Sequence, residues 1–487
     1  MPGQESSILG KNYCPLYVQM VSCFNPTSRV YHSATHAHSH CSASLARTVG
    51  MDRRGHRSRN ELGRRDIADS ESSAASRTGV ARLIPASLSR SFSSLSDRNF
   101  RYLWFGQVGA ATAMHADLVA RSWLVFELTG SSLAVAGVNV ARAIPMLLIG
   151  LFGGVAADRW DRKRLLIIIQ VWSLLLNAAM AIIVIGGWVE MWHIYVLAFL
   201  LGSGMAMNQP VRTSIIPQLI PKEQLLNAVA LNSIAINATR LIGPAIIGLV
   251  IAAWGVGPAY GGSTIAYGIV IWTTTRVAMP PISAIAKHGS LVGQMIEGFR
   301  YIATNRLVLA LVLLGLGPLA FGFSHQTLLP ALVVDELGRD AAIMGFIMAV
   351  GGVGGITGGF YMASRVDLRR KGMIMLGSAT AYGVALLLFA GVSMLVMVFP
   401  LIIAIGIAQT VFRSANTTTL LENTPDHMRG RIVSATLLDT ALAPVAGIIA
   451  GAAADSAGVS AGYLVLGGMC LGIVVLALLA YPKIRTV

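Results

Sequence analysis

Five charged side chains stand inside stretches that are otherwise apolar, and each needs a reason to be there: Asp117, Arg121, Arg142, Arg240 and Asp439. Charge away from water is costly, so such groups pair with one another, face a hydrated cavity or move protons. Asp117 and Arg121 are four residues apart, which sets them on one helix face within reach of each other. Two readings of Asp117 stay open, a helix-packing ion pair or a carboxylate that binds and releases a proton as Arg121 approaches and withdraws. Asp439 carries the same two readings without a cation in its own turn. Arg142 and Asp439 fall near the middle of their apolar stretches, and Arg240 shortly before Gly243-Pro244. Arg212 and Arg413 lie late in theirs, where a long side chain is expected to snorkel to the inner interface.

A second cluster is Gly154-Val-Ala-Ala-Asp158-Arg159-Trp-Asp161-Arg162-Lys163-Arg164. Gly154 lets a neighbouring helix approach closely. Asp158 ends an apolar helix, where an acid can meet the positive N-terminus of another helix. Arg159, Arg162 and Lys163 are placed to add ion pairs. The competing reading is a basic loop that only sets orientation. Gly243-Pro244-Ala-Ile-Ile-Gly248 joins a bend to two small residues, so it reads as a packing kink or as part of a moving helix. Enzyme chemistry finds no footing: there is no phosphate-binding loop, zinc helix or nucleophile elbow. Cys14, Cys23, Cys41 and Cys470 fit neither a zinc site nor a disulfide framework, so no metal or cofactor is expected.

The elements that must hold these groups are membrane helices. Of 487 residues, 54% are hydrophobic and 12% charged, about half the charged share of a soluble domain. Twelve apolar segments, from Leu103–Phe126 to Ala461–Tyr481, are each of the length that spans a bilayer. The loops alternate in charge. Cations crowd into Arg159–Arg164, Lys222, Arg276–Arg306, Arg365–Lys371, Arg429–Arg431 and Lys483–Arg485, and are nearly missing from the loops between. That alternation predicts a multi-pass protein with both termini in the cytoplasm. It also accounts for the net charge of +15 without a nucleic-acid partner.

Residues 1–95 are rich in Ser, Arg and His with no apolar period, and are expected to be disordered. His32, His36, His38 and His40 could hold a metal only weakly, and Met51 is a plausible start. The remainder divides into a six-helix half at 96–276, a cytoplasmic linker at 277–306 with an amphipathic helix over Ser290–Asn305, and a second half at 307–487. The halves echo each other about 204 residues apart. Gly150 and Gly154 fall opposite Gly354 and Gly358, Gly202 opposite Gly406, Pro221 opposite Pro425 and Gly243 opposite Gly447. In the second copy Met362 replaces the acid that corresponds to Asp158.

Several motifs together resemble the major facilitator superfamily, in its enterobactin-exporter-like and macrolide-efflux-like branch. They are Asn99-Phe-Arg101…Trp104-x-Gly106-Gln107, Glu127-Leu-Thr-Gly130-Ser131, Asp158-Arg159-Trp-Asp161-Arg162, Asn208-Gln-Pro210-x-Arg212, Asn227-Ala-x-Ala-Leu-Asn232, Arg240-x-x-Gly243-Pro244 and Arg429-Gly-Arg431. The resemblance implies an all-α fold of twelve transmembrane helices in two pseudo-symmetric halves, in a prokaryotic inner membrane. It implies a monomeric, proton-coupled exporter of a small drug-like or siderophore-like molecule, its halves rocking about a site lined by helices one, four, seven and ten. It further implies that Asp158 docks on the start of the eleventh helix near Arg429–Arg431, latching the halves while the protein faces outward. The Gly243-Pro244 element resembles the antiporter motif of drug exporters, but the glycines that precede it there are missing. An importer or uniporter of the same fold, or a membrane scaffold or sensor, are the alternatives.

Overall fold

The computed structural model describes residues 93–159, 161–221, 224–278, 297, 300–364, 370–425, 428 and 437–486. For 150–159, 226 and 437–441 it describes the backbone alone. Most of the expected tail, most of the expected linker helix and Arg429–Arg431 lie outside the described residues.

Among the described residues the chain is almost wholly helical. Six rods form the first half: α1 (Arg98–Thr129), α2 (Ser132–Arg159), α3 (Arg162–Ile185), α4 (Met191–Leu219), α5 (Leu225–Trp254) and α6 (Val256–Arg276). Six more form the second: α7 (Arg306–Glu336), α8 (Ala341–Ala363), α9 (Lys371–Phe389), α10 (Leu395–Glu422), α11 (Leu437–Ala457) and α12 (Val459–Ala480). Nine of these are long and apolar enough to cross a membrane by length and composition. Of the other three, α1 carries Asp117 and Arg121, α6 is diluted by glycine, serine and threonine, and α11 holds a shorter apolar stretch, Leu442–Ala457. Large apolar side chains such as Leu249, Ile265, Val396 and Leu479 point outward, as lipid-facing residues must.

Residues that are polar in sequence mark where rods begin and end. Asp97 caps α1 by accepting from Phe100 N at 2.7 Å, and Asp161 caps α3 by accepting from Lys163 N and Arg164 N at 2.9 and 3.0 Å. At the opposite end of the bundle the connections are tight. Among the described residues the five glycines with positive φ lie there, at Gly130, Gly187, Gly255, Gly338 and Gly458. We call this the tight-turn end.

The repeat seen in sequence reappears as packing. Gly202 brings α4 onto α2, where an added Cβ would lie 2.2 Å from Arg142 O; Gly406 brings α10 onto α8, with Gly351 O at 2.3 Å. Gly243 seats α5 against His115 of α1, and Gly447 seats α11 against Thr327 of α7. The halves meet along two seams, α5 on α8 and α2 on α11. Their closest glycine approaches, at Gly248, Gly345, Gly352 and Gly451, lie from mid-helix to the tight-turn end.

One helix departs from a simple rod. α7 is π-helical over Leu316–Gly322 and again over Leu332–Glu336. Pro318 and Pro330 each lack an N–H to donate, which loosens the local hydrogen-bond register.

Candidate functional site

Asp117, Arg121 and Arg142 come together as a buried ion triad. The Asp117 carboxylate lies 3.1 Å from Arg121 Nη1 and 3.3 Å from Arg142 Nη1; Asp117 and Arg121 are buried and Arg142 is partly buried. Sequence supplied the first pair through helix periodicity; Arg142 arrives from α2, which no spacing rule within α1 could reveal. The contacts to Asp117 Oδ2 are ion pairs by distance but are poorly aligned as hydrogen bonds. Beside the triad is a small cavity lined by Asp117, Arg121, Asn177 and Tyr260, with room for about one water molecule. Asp439 lies on α11, with its side chain outside the described residues.

Arg240 is placed apart from that triad. It is solvent-accessible in the middle of α5, though protein surrounds it on most sides. Its Nη2 donates to Gln409 Oε1 of α10 at 3.0 Å, a bond that crosses from one half to the other. His115 lies beside it on α1 and His325 on α7. His325 Nδ1 sits 2.8 Å from Gly322 O and 3.3 Å from Tyr382 Oη. His325 follows shortly after the π-helical turn of α7. Neither His325 nor Gln409 announced itself in sequence, because each contacts a partner on another helix that no spacing within its own helix indicates.

The basic cassette is described only in part. Gly154, Asp158 and Arg159 belong to α2, but their side chains lie outside the described residues, so the latch expected of Asp158 does too. Arg162 Nη1 donates to Ser214 O of α4 at 3.0 Å. Lys163 Nζ donates to Thr275 O and Val277 O at the end of α6, at 2.9 and 2.6 Å. A cation at a helix C-terminus meets carbonyls that lack partners within the helix. These cassette residues therefore tie the first half together in the conformation seen.

Arg212 departs from the expected snorkelling. It is 1% exposed, sandwiched near α1 and α6, with Nη1 donating to Leu103 O at 3.2 Å. Gly106 makes room for it: an added Cβ there would lie 3.5 Å from Arg212 Nη1. Trp104 of the same motifs ties α1 to α5 through Leu231 O at 2.8 Å.

Gly243 and Gly248 both serve close approach. A Cβ on Gly248 would lie 2.5 Å from Ala341 O of α8, and one on Gly345 of α8 would lie 2.2 Å from Pro244 O. The Gly-Pro element is thus the surface on which the second half rests.

A further acid went unnoticed in the sequence. Asp455, near the C-terminal end of α11, accepts from Ser132 N at 2.8 Å, Leu133 N at 3.2 Å and the Ser131 hydroxyl. It caps the start of α2, in the other half, and Gly451 packs against the same turn. This is the arrangement that the family resemblance implies for Asp158 and α11, reversed end for end. The available signal was an acid at one helix end and the Thr129-Gly-Ser-Ser132 turn, rich in capping residues, at the other.

Comparison with known proteins gives this architecture its family. A family model described as transmembrane secretion effector matches residues 89–486. The chain belongs to that family, within the major facilitator superfamily. It is 27% identical over 371 residues to the Staphyloferrin A transporter of Staphylococcus aureus, covering 75% of this chain and 89% of that one. It is 26% identical over 399 residues to the multidrug efflux pump Tap of Mycolicibacterium fortuitum, covering 78% and 95%. It is 26% identical over 336 residues to the enterobactin exporter EntS of Escherichia coli, covering 67% and 76%. Among solved structures, the nucleoside transporter NupG aligns with a TM-score of 0.66 at 13% identity, over 78% of this chain and 98% of that one. A bacterial homologue of ferroportin aligns at 0.62 and 18% identity, over 80% and 99%. The chain is a multi-pass membrane transporter and not an enzyme.

For this transporter the Asp455 cap makes a direct prediction. Asp455→Asn replaces one acceptor oxygen by a donor facing backbone N–H groups, at a cost of about 1–3 kcal/mol. Spin labels at Leu128 and Val396, on opposite halves, should then show a longer-distance population at the tight-turn end. An unchanged distance distribution would leave Asp455 with no part in holding the halves together.

Proposed function

We propose that this transporter exports a small organic molecule by alternating access, driven by proton entry, from a prokaryotic inner membrane with both its termini in the cytoplasm. The observation that carries the reading is the arrangement of its seams. The halves are fastened at the tight-turn end by Asp455 on α2 and by Gly248 against α8. The cation-poor turns assign that end to the outside, so the conformation is inward-facing. Asp158, at the opposite end of α2, would supply the matching inner latch when the outer one opens. Asp117 and Asp439 are the carboxylates available within the spans to carry the proton, and Arg142, which reaches Asp117 from another helix, would make its charge sensitive to helix movement. The transporter works as a monomer in lipid. The relatives named for siderophores and drugs support a cargo of similar size and an outward direction.

Purified protein in liposomes carrying an internal pH dye tests this. Catecholate and citrate-type siderophores, a macrolide and a lipophilic cation are supplied in turn across an imposed pH gradient. At least one should move against proton flow and change the dye signal. Movement of a compound with no proton flux would make the protein a uniporter, and failure to move any class would return it to the scaffold alternative.

A further inference from the structure

We infer that α1 and α6 form a binding site for one anionic phospholipid on the lipid-facing surface of the first half, its phosphate held by Arg98 and Arg276. The inference needs only that the chain spans a bilayer. The orientation proposed above places the lipid in the inner leaflet.

Spacing is the first support. Arg98, Tyr102 and Phe105 fall four and three residues apart along α1, and Arg276, Trp272 and Ile269 do the same back along α6. Each set therefore shares one helix face. The two helices run antiparallel in close register: a Cβ on Gly106 would lie 3.0 Å from Thr273 Oγ1, and one on Gly109 2.7 Å from Val270 Cγ2. The arginines thus come to the same end, with the rings one turn in and Phe105 and Ile269 beyond them. Tyr102 is half-buried and the other five are exposed. Within about 10 Å along the helices the surface passes from cationic to aromatic to apolar. That is the order in which a phospholipid presents its headgroup, its interfacial region and its chains.

Contact geometry is the second. The Tyr102 and Trp272 rings meet edge to face, with centroids 6.2 Å apart. Arg98 Cζ lies 5.8 Å from the centre of the Tyr102 ring, and Arg276 Cζ 5.3 Å from that of Trp272. A guanidinium held against a ring keeps its charge and its planar donors. The helix ends here are already pinned: Ala278 N donates to Asn99 Oδ1 at 2.9 Å, and Lys163 takes the carbonyls of Thr275 and Val277. Arg276 is therefore not needed as a cap. Among the described residues neither Arg98 nor Arg276 joins an ion pair. The adjacent acid, Asp97, has one oxygen turned to Phe100 N as the cap of α1.

Charge chooses the headgroup. Two guanidinium groups attract a lipid with net negative charge, whereas the choline of a zwitterionic lipid brings a third cation beside them. The apolar face separates a lipid from free phosphate, because only a lipid also covers Phe105 and Ile269. Both helices belong to the first half, so the site stays intact as the halves rock.

The test is native mass spectrometry on the intact purified protein, in detergent with an equimolar mixture of dioleoyl-phosphatidylglycerol and dioleoyl-phosphatidylcholine, which share their chains. The first bound lipid should be phosphatidylglycerol by a margin of about tenfold. Arg98→Gln combined with Arg276→Gln should bring that ratio close to one, and the paired Lys substitutions should retain part of it. Arg306→Gln, which removes an exposed cation at the start of α7, should leave it as in the parent. All are surface changes, so each variant should elute as the parent does; if the double Gln protein does not, either single substitution should still lower the ratio. Equal binding of the two lipids, a ratio unmoved by loss of both arginines, or an equal fall in Arg306→Gln overturns the inference. So does displacement of phosphatidylglycerol by excess glycerol phosphate, which would make this a site for free phosphate. None of these readouts involves cargo or protons, so the lipid site stands or falls apart from the proposed transport cycle.

Discussion

Asp117→Asn is expected to abolish pH-driven transport while leaving cargo binding and counterflow in place. The side chain keeps its size, so the neighbouring cavity keeps its shape, but the group can no longer take up a proton. The structure adds a second consequence. Arg121 and Arg142 both face Asp117, at 3.1 and 3.3 Å, and without its charge they face only one another. Removing one partner from a buried ion cluster costs about 3–5 kcal/mol. The variant should therefore also unfold at a lower temperature, and Asp117→Ala at a lower one still. These two effects separate the two roles of Asp117. A purely structural triad predicts loss of stability with normal pH dependence in whatever protein remains. A proton carrier predicts loss of pH dependence even in the folded fraction. Arg121 sits on the same helix and travels with Asp117, so the partner able to withdraw is Arg142. α2, which carries it, packs mainly on α4 and, across the seam, on α11, and only slightly on α1. Opening that seam is thus a route to loosening the triad. If Asp117→Asn still concentrates cargo with normal pH dependence and Asp439→Asn does not, the carrier is Asp439.

What was legible in the sequence follows the range of the interaction that encodes it. A spanning helix announces itself through some twenty consecutive residues, so the rods and the alternation of charged loops could be read directly. The Asp117–Arg121 pair lies within one turn of helix and was equally plain. Gly202 and Gly406 were visible as a repeat, although not as the points where α4 and α10 press on α2 and α8. Beyond one helix the signal fades. Arg142 joins Asp117 from another rod, Asp455 reaches a turn more than 300 residues away, and Arg240 finds Gln409 in the other half. Arg212 is instructive in another way. Its position late in α4 matched a snorkelling arginine, yet Gly106 opens a space that holds it inside the first half. Local pattern gave its depth but not its direction.

Gly345→Ala is expected to hold the tight-turn end open and to stop transport. An added methyl would lie 2.2 Å from Pro244 O and 3.0 Å from Gly248 Cα, both backbone atoms of α5. Flexible side chains could yield to such a clash; two helix backbones yield only by separating. Pro244 also has little freedom to adjust, because its ring fixes its φ. Overpacking of this kind costs about 1–3 kcal/mol, and contact with backbone puts this case at the upper end, so closure should weaken roughly 100-fold. The site lies between the halves, not inside either one, so insertion and folding should be preserved. Gly377→Ala and Gly468→Ala, with nothing within 4 Å of the new methyl, serve as controls for helix propensity. A cysteine at Asn237, on the exposed polar stripe of α5, reports the outcome. In intact cells it should react with an impermeant thiol reagent when Gly345→Ala is present, and stay protected in the parent and in both controls. Equal protection in all four proteins, with transport intact, would mean that α5 and α8 do not close the outer seam, and the inward-facing assignment would fall with it.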